Sequence, residues 1–442
     1  MASEVTVGID IGTTSVKAVA ADTDGRVVAR ARVPHPLKAA HAGELAHDAG
    51  LAWRDGVVSA LAEVAADLDV RAVSVAAMVP SLCAVDAGGR PVSDGLLYGD
   101  ARGAGGDPTK NPSESGELVR FLAWLAAAHP QAAGFWPAQA VANCALCGEG
   151  MIDTVVAMTT LPLFDFTGWD ADVAAEAGVA DTARLPGLMS GTGAIGQIDA
   201  AGGALLGPGT IDAYGEQLMA GADNDGDVLV ILGSTLIVWA VVPDWIEVDG
   251  LWTVPHTVAG KTLIGGPSNA GGLFLNWVDR LTVDGGATGF DPDDVPLWQP
   301  FLRGERVPFH DPDRRASLHD LHIGMAPGSV RRAAHEASAF AVRHMLDLAG
   351  GVGRRIVATG GGAYSAPWVQ ALADGTGLPV DVVAVPEGAA LGAAYLARVT
   401  AGLEPDASGA GRWARPGHRV EPLASTHAAV TARYDRYRDL AG

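Results

Sequence analysis

Three features of the sequence predict an α/β protein of two lobes. At 442 residues the chain outgrows what one hydrophobic core comfortably serves, so two cores are expected. Residues 5–33 read as an antiparallel meander of three short strands, VTVGID, SVKAVAAD and RVVARARV, with Asp22-Thr23-Asp24-Gly25 turning the second into the third. After Asp227 the device starts again, with the strand VLVILG, a turn and the strand LIVWAVV. The boundary is therefore drawn at 225/226, giving lobes 1–225 and 226–442.

The elements between these landmarks follow from period and turn chemistry. A helical period runs from about Asp48 to Leu68, a strand covers Arg71 to Ala76, and Ala87-Gly88-Gly89 marks a turn. Residues 116–128, 137–148 and the segment leading to Met158 read as helices. In the second lobe a hairpin is expected from Leu251 to Ile264. A long helix is expected from Val330 to Leu348, a strand at Arg355 to Thr359, and helices at Pro367 to Thr376 and Ala389 to Ala401. A meander joined through helices to further strands is the layout of an actin-like, ribonuclease H-like lobe, and two of them imply an interlobe cleft.

Composition narrows the function. With 48% hydrophobic and 18% charged residues the chain is an ordinary globular protein. A net charge of −21 repels phosphate backbones and anionic lipid, which argues against nucleic-acid or membrane partners. The opening residues run straight into a strand pattern without a basic leader, and no apolar run approaches the ~20 residues needed to span a bilayer. A cytoplasmic location is expected. Three cysteines cannot form a disulfide framework, and Cys144 and Cys147 lack a second ligand pair for zinc.

Gly8-Ile9-Asp10-Ile11-Gly12-Thr13-Thr14-Ser15-Val16-Lys17 joins two strands through a turn whose glycine lets backbone N–H groups approach an anion. Asp10 at the strand end can hold a hydrated magnesium ion, while Gly12, Thr13, Thr14 and Lys17 offer donors to phosphate oxygens. Gly233-Ser234-Thr235 repeats the device, as a phosphate held by one loop from each lobe requires. Two look-alikes fail. Gly191 to Gly196 matches GxGxxG but no strand feeds it, and Gly260-Lys261-Thr262 lies in a hairpin with Pro255 where a P-loop needs glycine.

Several ordered motifs make the chain resemble the FGGY carbohydrate kinases over nearly its whole length. They are the first loop, Phe301 to Pro308 around Gly304-Glu305-Arg306, Arg332-Ala333-Ala334-His335-Glu336, Thr359 to Ser365 with Trp368, and Pro386 to Ala394. The resemblance implies ATP and Mg2+ as cofactors, adenosine on Gly360, Gly361, Gly362 and Ala363, and transfer of phosphate to a hydroxyl of a pentulose or related ketose or polyol. Gly304-Glu305-Arg306 reads as a brace of the second lobe. A homodimer is compatible with this reading.

In Ala220-Gly221-Ala222-Asp223-Asn224 the resemblance finds a counterpart of the family's base-bearing Asp-Asn stretch, which implies Asp223 as catalytic base and Asn224 as substrate contact, with Asp225 and Asp227 as alternatives. Tyr98-Gly99-Asp100-Ala101-Arg102 resembles a sugar-lining motif and implies Asp100 and Arg102 as substrate residues. Met78-Val79-Pro80-Ser81 stands where the xylulose-kinase branch carries Gln-Met-His-Gly, so Pro80 replaces a sugar-contacting histidine, and Met78, Val79 and Pro80 are implied as substrate residues. Asp153, Asp165 and Trp169 read as structural. Asp223 precedes Gly233 by ten positions, which leaves no room for the helix and glycine turn that usually separate base and second phosphate loop. That shortening motivates the alternative of a catalytically impaired nucleotide- or sugar-binding regulator.

Overall fold

The computed structural model describes residues 4–39, 43–105, 116–191, 193–256, 260–282, 290–385 and 387–441. Thr192 and Pro386, each part of a motif quoted above, lie outside the described residues. The chain forms two compact units, Met1–Met219 with Glu387–Trp413, and Ala220–Pro386 with Ala414–Gly442.

The first unit is built on a seven-stranded sheet. Strands β1 (Glu4–Ile11), β2 (Ser15–Ala21) and β3 (Val27–Pro34) form the expected antiparallel meander, with Asp10 opposite Lys17. Strand β4 (Asp69–Ala77) runs parallel to β1 on its other side. Beyond it lie β5 (Gly196–Ile198) and β6 (Ala204–Leu206), with the short β7 (Thr210–Ile211) also beside β4. Every residue from Val5 to Ile11 is buried, as in a central strand covered on both faces.

One cover is the helix Gly56–Val64; the other, Gly388–Thr400, comes from far down the chain. Gly8 explains the second, because a Cβ there would sit 1.8 Å from the carbonyl oxygen of Ala390. Only a bare backbone lets that helix lie so close. At its far end Trp413 seats its ring on Gly25 and donates Nε1–H to the carbonyl of Thr23 at 3.2 Å. The sequence places residues 387–413 in a continuous second lobe; the structure gives them to the first unit, through these close approaches.

The second unit repeats the pattern. Strands β8 (Asp227–Leu232), β9 (Leu236–Val242), β10 (Trp252–Pro255), β11 (Thr262–Ser268), β12 (Arg355–Thr359), β13 (Val380–Val383) and β14 (Pro416–Val420) form a sheet in the order β10-β11-β9-β8-β12-β13-β14. The first sheet runs β3-β2-β1-β4-β6-β5 in the same senses: antiparallel on the hairpin side, parallel across β1/β4/β6 and β8/β12/β13, antiparallel again at the edge. The duplication suggested by two strand–turn–strand starts thus extends through six strands of each sheet. Val228, Val230, Leu232 and Val238 pack against the helices Pro327–Leu348 and Ala366–Thr376. Those two helices are locked by Arg332, which donates to Glu336 and Asp374 at 2.7 Å each.

Candidate active site

In the first unit the turn Gly12–Thr14 connects β1 to β2, closed by a hydrogen bond from Gly12 N–H to Ser15 C=O at 3.1 Å. Asp10, at the end of β1, is 6% exposed and pairs with Lys17 Nζ at 3.6 Å. Burial raises the Asp10 carboxyl, partly offset by Lys17; Asp10 in turn raises the Lys17 ammonium, with Glu216 and Glu387 adding to it.

A second carboxylate joins them. Asp212 opens the helix Asp212–Ala220 directly after β7 and accepts from its own neighbour, Ala213 N–H, at 2.7 Å. Burial pushes it up to about 6, and the nearby charge of Asp10 adds to that shift while Lys17 opposes it. The helix is held where the Gly388–Thr400 helix crosses it, since a Cβ on Gly392 would lie 2.3 Å from the carbonyl of Gly215. Asp153 accepts from Val155 N–H at 2.6 Å, and burial pushes it too up to about 6. Its charge reaches Tyr214, in the first turn of the Asp212 helix, and Val79 and Ile211 pack in one cluster with Ile152 and Val156.

The structure treats the remaining sequence candidates differently. Val79 is partly open, whereas Met78 is 2% exposed within the core. Asp100 is 2% exposed and accepts from Leu45 N–H, Arg102 N–H and the Arg102 guanidinium. Burial alone would raise its carboxyl, but these donors hold it below the usual range. The pair is a closed brace rather than a free hydroxyl receptor.

Asp223 and Asn224 belong to the second unit, in the turn between the Asp212 helix and β8. Asn224 spends its backbone N–H and side-chain amide on Asp227, which is clamped by Arg355 at 2.7 and 2.8 Å. Asp223 lies 3.8 Å from His256 Nε2. No helix lies between Asp223 and Gly233, as the spacing implies; a helix from Asp212 to Ala220 precedes Asp223 instead. A helix and a glycine turn at Gly221 separate Asp212, not Asp223, from Gly233. That spacing was the signal that could have found Asp212.

Elsewhere in the second unit, the carbonyls of Gly233 and Ser234 accept from Gly272 N–H at 2.8 Å and Leu273 N–H at 3.1 Å, at the start of the helix Gly272–Leu281. The three glycines after β12 have separate reasons. Gly360 sits at φ +85°, and a Cβ on Gly362 would lie 2.2 Å from the Trp368 ring. Gly361 is exposed with nothing within 4 Å of its would-be Cβ, so the fold leaves a bare, open stretch of backbone there. Among the described residues no group of three or more His, Cys, Asp or Glu side chains converges to hold a metal ion, and no described helix is long and apolar enough to cross a membrane.

Two sheets of matching strand order, each opening on a hairpin with a Gly-Ser/Thr turn, define a two-lobed actin-like ATPase fold. Among solved structures, a xylulose kinase from Lactobacillus acidophilus superposes with a TM-score of 0.80 at 20% identity, covering 99% of this chain and 97% of that one. Among curated proteins, a glycerol kinase of Allorhizobium ampelinum is 28% identical over 94% of each chain, and a xylulose kinase of Streptomyces coelicolor is 28% identical over 92% of this chain and 90% of its own. The N-terminal domain profile of the FGGY family of carbohydrate kinases matches residues 5–106, and its C-terminal domain profile matches 233–401. The chain belongs to that family. It is a carbohydrate kinase, a phosphotransferase with an alcohol acceptor.

Proposed function

We propose that the protein phosphorylates a hydroxyl of a small neutral ketose or polyol, a pentulose or a relative, with Asp212 as the base. The observation that carries this reading is the juxtaposition of Asp212 with Asp10 and Lys17 at the start of a buried helix. A carboxylate with a raised pKa is a better proton acceptor for an alcohol than an ordinary one, and in-line attack needs little more from the protein than that base and donors for the phosphoryl charge. Gly12, Thr13, Thr14 and Lys17 supply such donors in the first unit; Gly233, Ser234 and Thr235 supply them in the second. Gly360, Gly361, Gly362 and Ala363 offer adenosine a surface without side chains at Gly361.

Asp10 fits a magnesium ion. Magnesium keeps several waters and is held by one or two carboxylates plus phosphate oxygens, so a site without a full protein cage suits it. When bound, the ion neutralises phosphate charge. Asp153 acts on Tyr214 in the first turn of the Asp212 helix, and Asp153 and Asp212, both with raised pKa, suit a neutral acceptor because an added negative charge is disfavoured near them. Finding the helix upstream of Asp223 removes the reason to expect an impaired regulator.

The test is an ADP-release screen over pentuloses, hexuloses, glycerol, tetritols and sugar acids. Turnover is expected with a neutral acceptor, and Asp212→Asn is expected to abolish it while sparing ATP binding. Turnover surviving in Asp212→Asn but lost in Asp223→Asn would return the base to Asp223.

A further inference from the structure

Both phosphate loops have their carbonyls tied back, but by different means. In the second unit the ties are the backbone N–H groups of Gly272 and Leu273. In the first unit Thr14 C=O accepts from His35 N–H at 3.0 Å, while Thr13 C=O is engaged by a side chain, His47 Nε2, at 2.8 Å. We infer that His47 is a positioning residue for the first phosphate loop, with Trp53 fixing its tautomer. The inference rests on reading Gly12–Thr14 as a phosphate loop.

The chain of contacts is continuous and buried. Trp53 Nε1–H donates to His47 Nδ1 at 3.0 Å, and indole N–H is a donor only. Nδ1 is therefore the acceptor and Nε2 carries the hydrogen given to Thr13. His47 and Trp53 are both 0% exposed. Trp53 in turn lies on Gly95, opposite His47 in the adjoining strand pair, where a Cβ would sit 2.2 Å from the indole ring. His35 packs edge-on against His47 at 4.5 Å.

The consequence for the loop follows from peptide geometry. In a trans peptide the C=O and N–H point to opposite sides. Turning Thr13 C=O inward to His47 turns Thr14 N–H outward, on the exposed side of the turn. Without the tie, that peptide can rotate and present an oxygen to a phosphate instead of a hydrogen. His47 thus acts through Thr13, and its effect is specific to the phosphates of a nucleotide.

The test compares calorimetric binding of magnesium-ATP, without acceptor, and of adenosine. His47→Leu is expected to weaken magnesium-ATP by about tenfold, the value of one buried hydrogen bond and a misplaced donor, and to leave adenosine unchanged. His47→Gln, which carries both a donor and an acceptor, is expected to restore ATP binding to within about twofold. If His47→Leu does not fold, Trp53→Phe, which removes the tautomer-fixing donor together with part of the ring, is expected to give the same selective loss in smaller degree. Equal weakening of both ligands, or no rescue by Gln, or an unchanged ATP affinity overturns the inference. Gly12→Val separates the two layers, since it places an isopropyl group over the loop itself. If it too spares ATP, the phosphate-loop reading fails; if it weakens ATP while His47→Leu and Trp53→Phe do not, only the positioning role fails.

Discussion

At the scale of single residues, the chemistry turns on how a carboxyl group's surroundings price its charge. Asp100, tied by four donors, stays ionised and silent; Asp212, buried beside Asp10, is lifted to about 6. A base works only when deprotonated, so the acceptor kcat/KM should show an acid limb near pH 6, falling about tenfold per pH unit below it. A pH–rate profile measured with saturating magnesium-ATP and flat from pH 8 to pH 4.5 would exclude Asp212 as the titrating base. Asp153 makes a different prediction. Asn keeps the helix cap at this position but not the charge. Asp153→Asn should raise the acceptor KM by about tenfold, the worth of one charge-assisted hydrogen bond, and leave the KM for ATP unchanged. Steady-state kinetics with each substrate varied in turn decides this.

At the scale of elements, the site depends on two helices whose backbones touch. Gly392 and Gly215 face each other so closely that a Cβ on Gly392 meets backbone at 2.3, 2.5 and 2.7 Å. Rigid backbone cannot yield as a flexible side chain does, so Gly392→Val should displace the Asp212 helix. It should cost about 1–3 kcal/mol or more of stability, read as a lowered Tm. It should also lower kcat, since a shift of about 1 Å at a reacting group costs roughly a hundredfold. The same elements show what the sequence could and could not reveal. The meander Glu4–Pro34 was legible because its strands are long and separated by clear turn residues. The helix Asp212–Ala220 was not: DAYGEQLMA has a glycine in its middle and only two large aliphatic side chains, so no apolar period announces it. With that helix hidden, the resemblance points past its end, to Asp223, whereas the proposed base stands at its start. Strands of three residues, such as Gly196–Ile198, are likewise too short to show a period. Helix Gly388–Thr400 was visible as a helix, but its small residues are buried all round, which says nothing about which sheet it covers. That information lies in Gly8, 380 positions earlier.

At the scale of the whole molecule, each unit holds histidines whose burial favours the neutral ring. His47 in the first unit and His335 on the long helix of the second are both pushed down to about 4 by burial, with His35 adding to the effect on His47 and Asp279 opposing it on His335. An unfolded histidine takes up its proton near 6.5. Between 6.5 and 4 each of these histidines binds more proton in the unfolded chain than in the folded one, so its contribution to stability falls as pH drops through that window, while the lifted carboxyls of Asp153 and Asp212 contribute in the opposite sense. Each histidine contributes at most about 1.4 kcal/mol per pH unit. The net charge of −21 works in the opposite direction, because carboxylates that gain protons in acid relieve the self-repulsion of the folded chain. Salt separates the two. Screening weakens repulsion between exposed charges but scarcely touches the cost of protonating a buried ring. Scanning calorimetry should show added salt raising the Tm at pH 8, where repulsion is greatest, and leaving the histidine contribution between pH 6.5 and 5 in place. His47→Gln removes one of these titrating groups while keeping its hydrogen bonds, so its Tm should fall less steeply with acid than that of the unsubstituted protein. Parallel pH dependences for the two proteins would show that His47 does not govern the acid response of its unit.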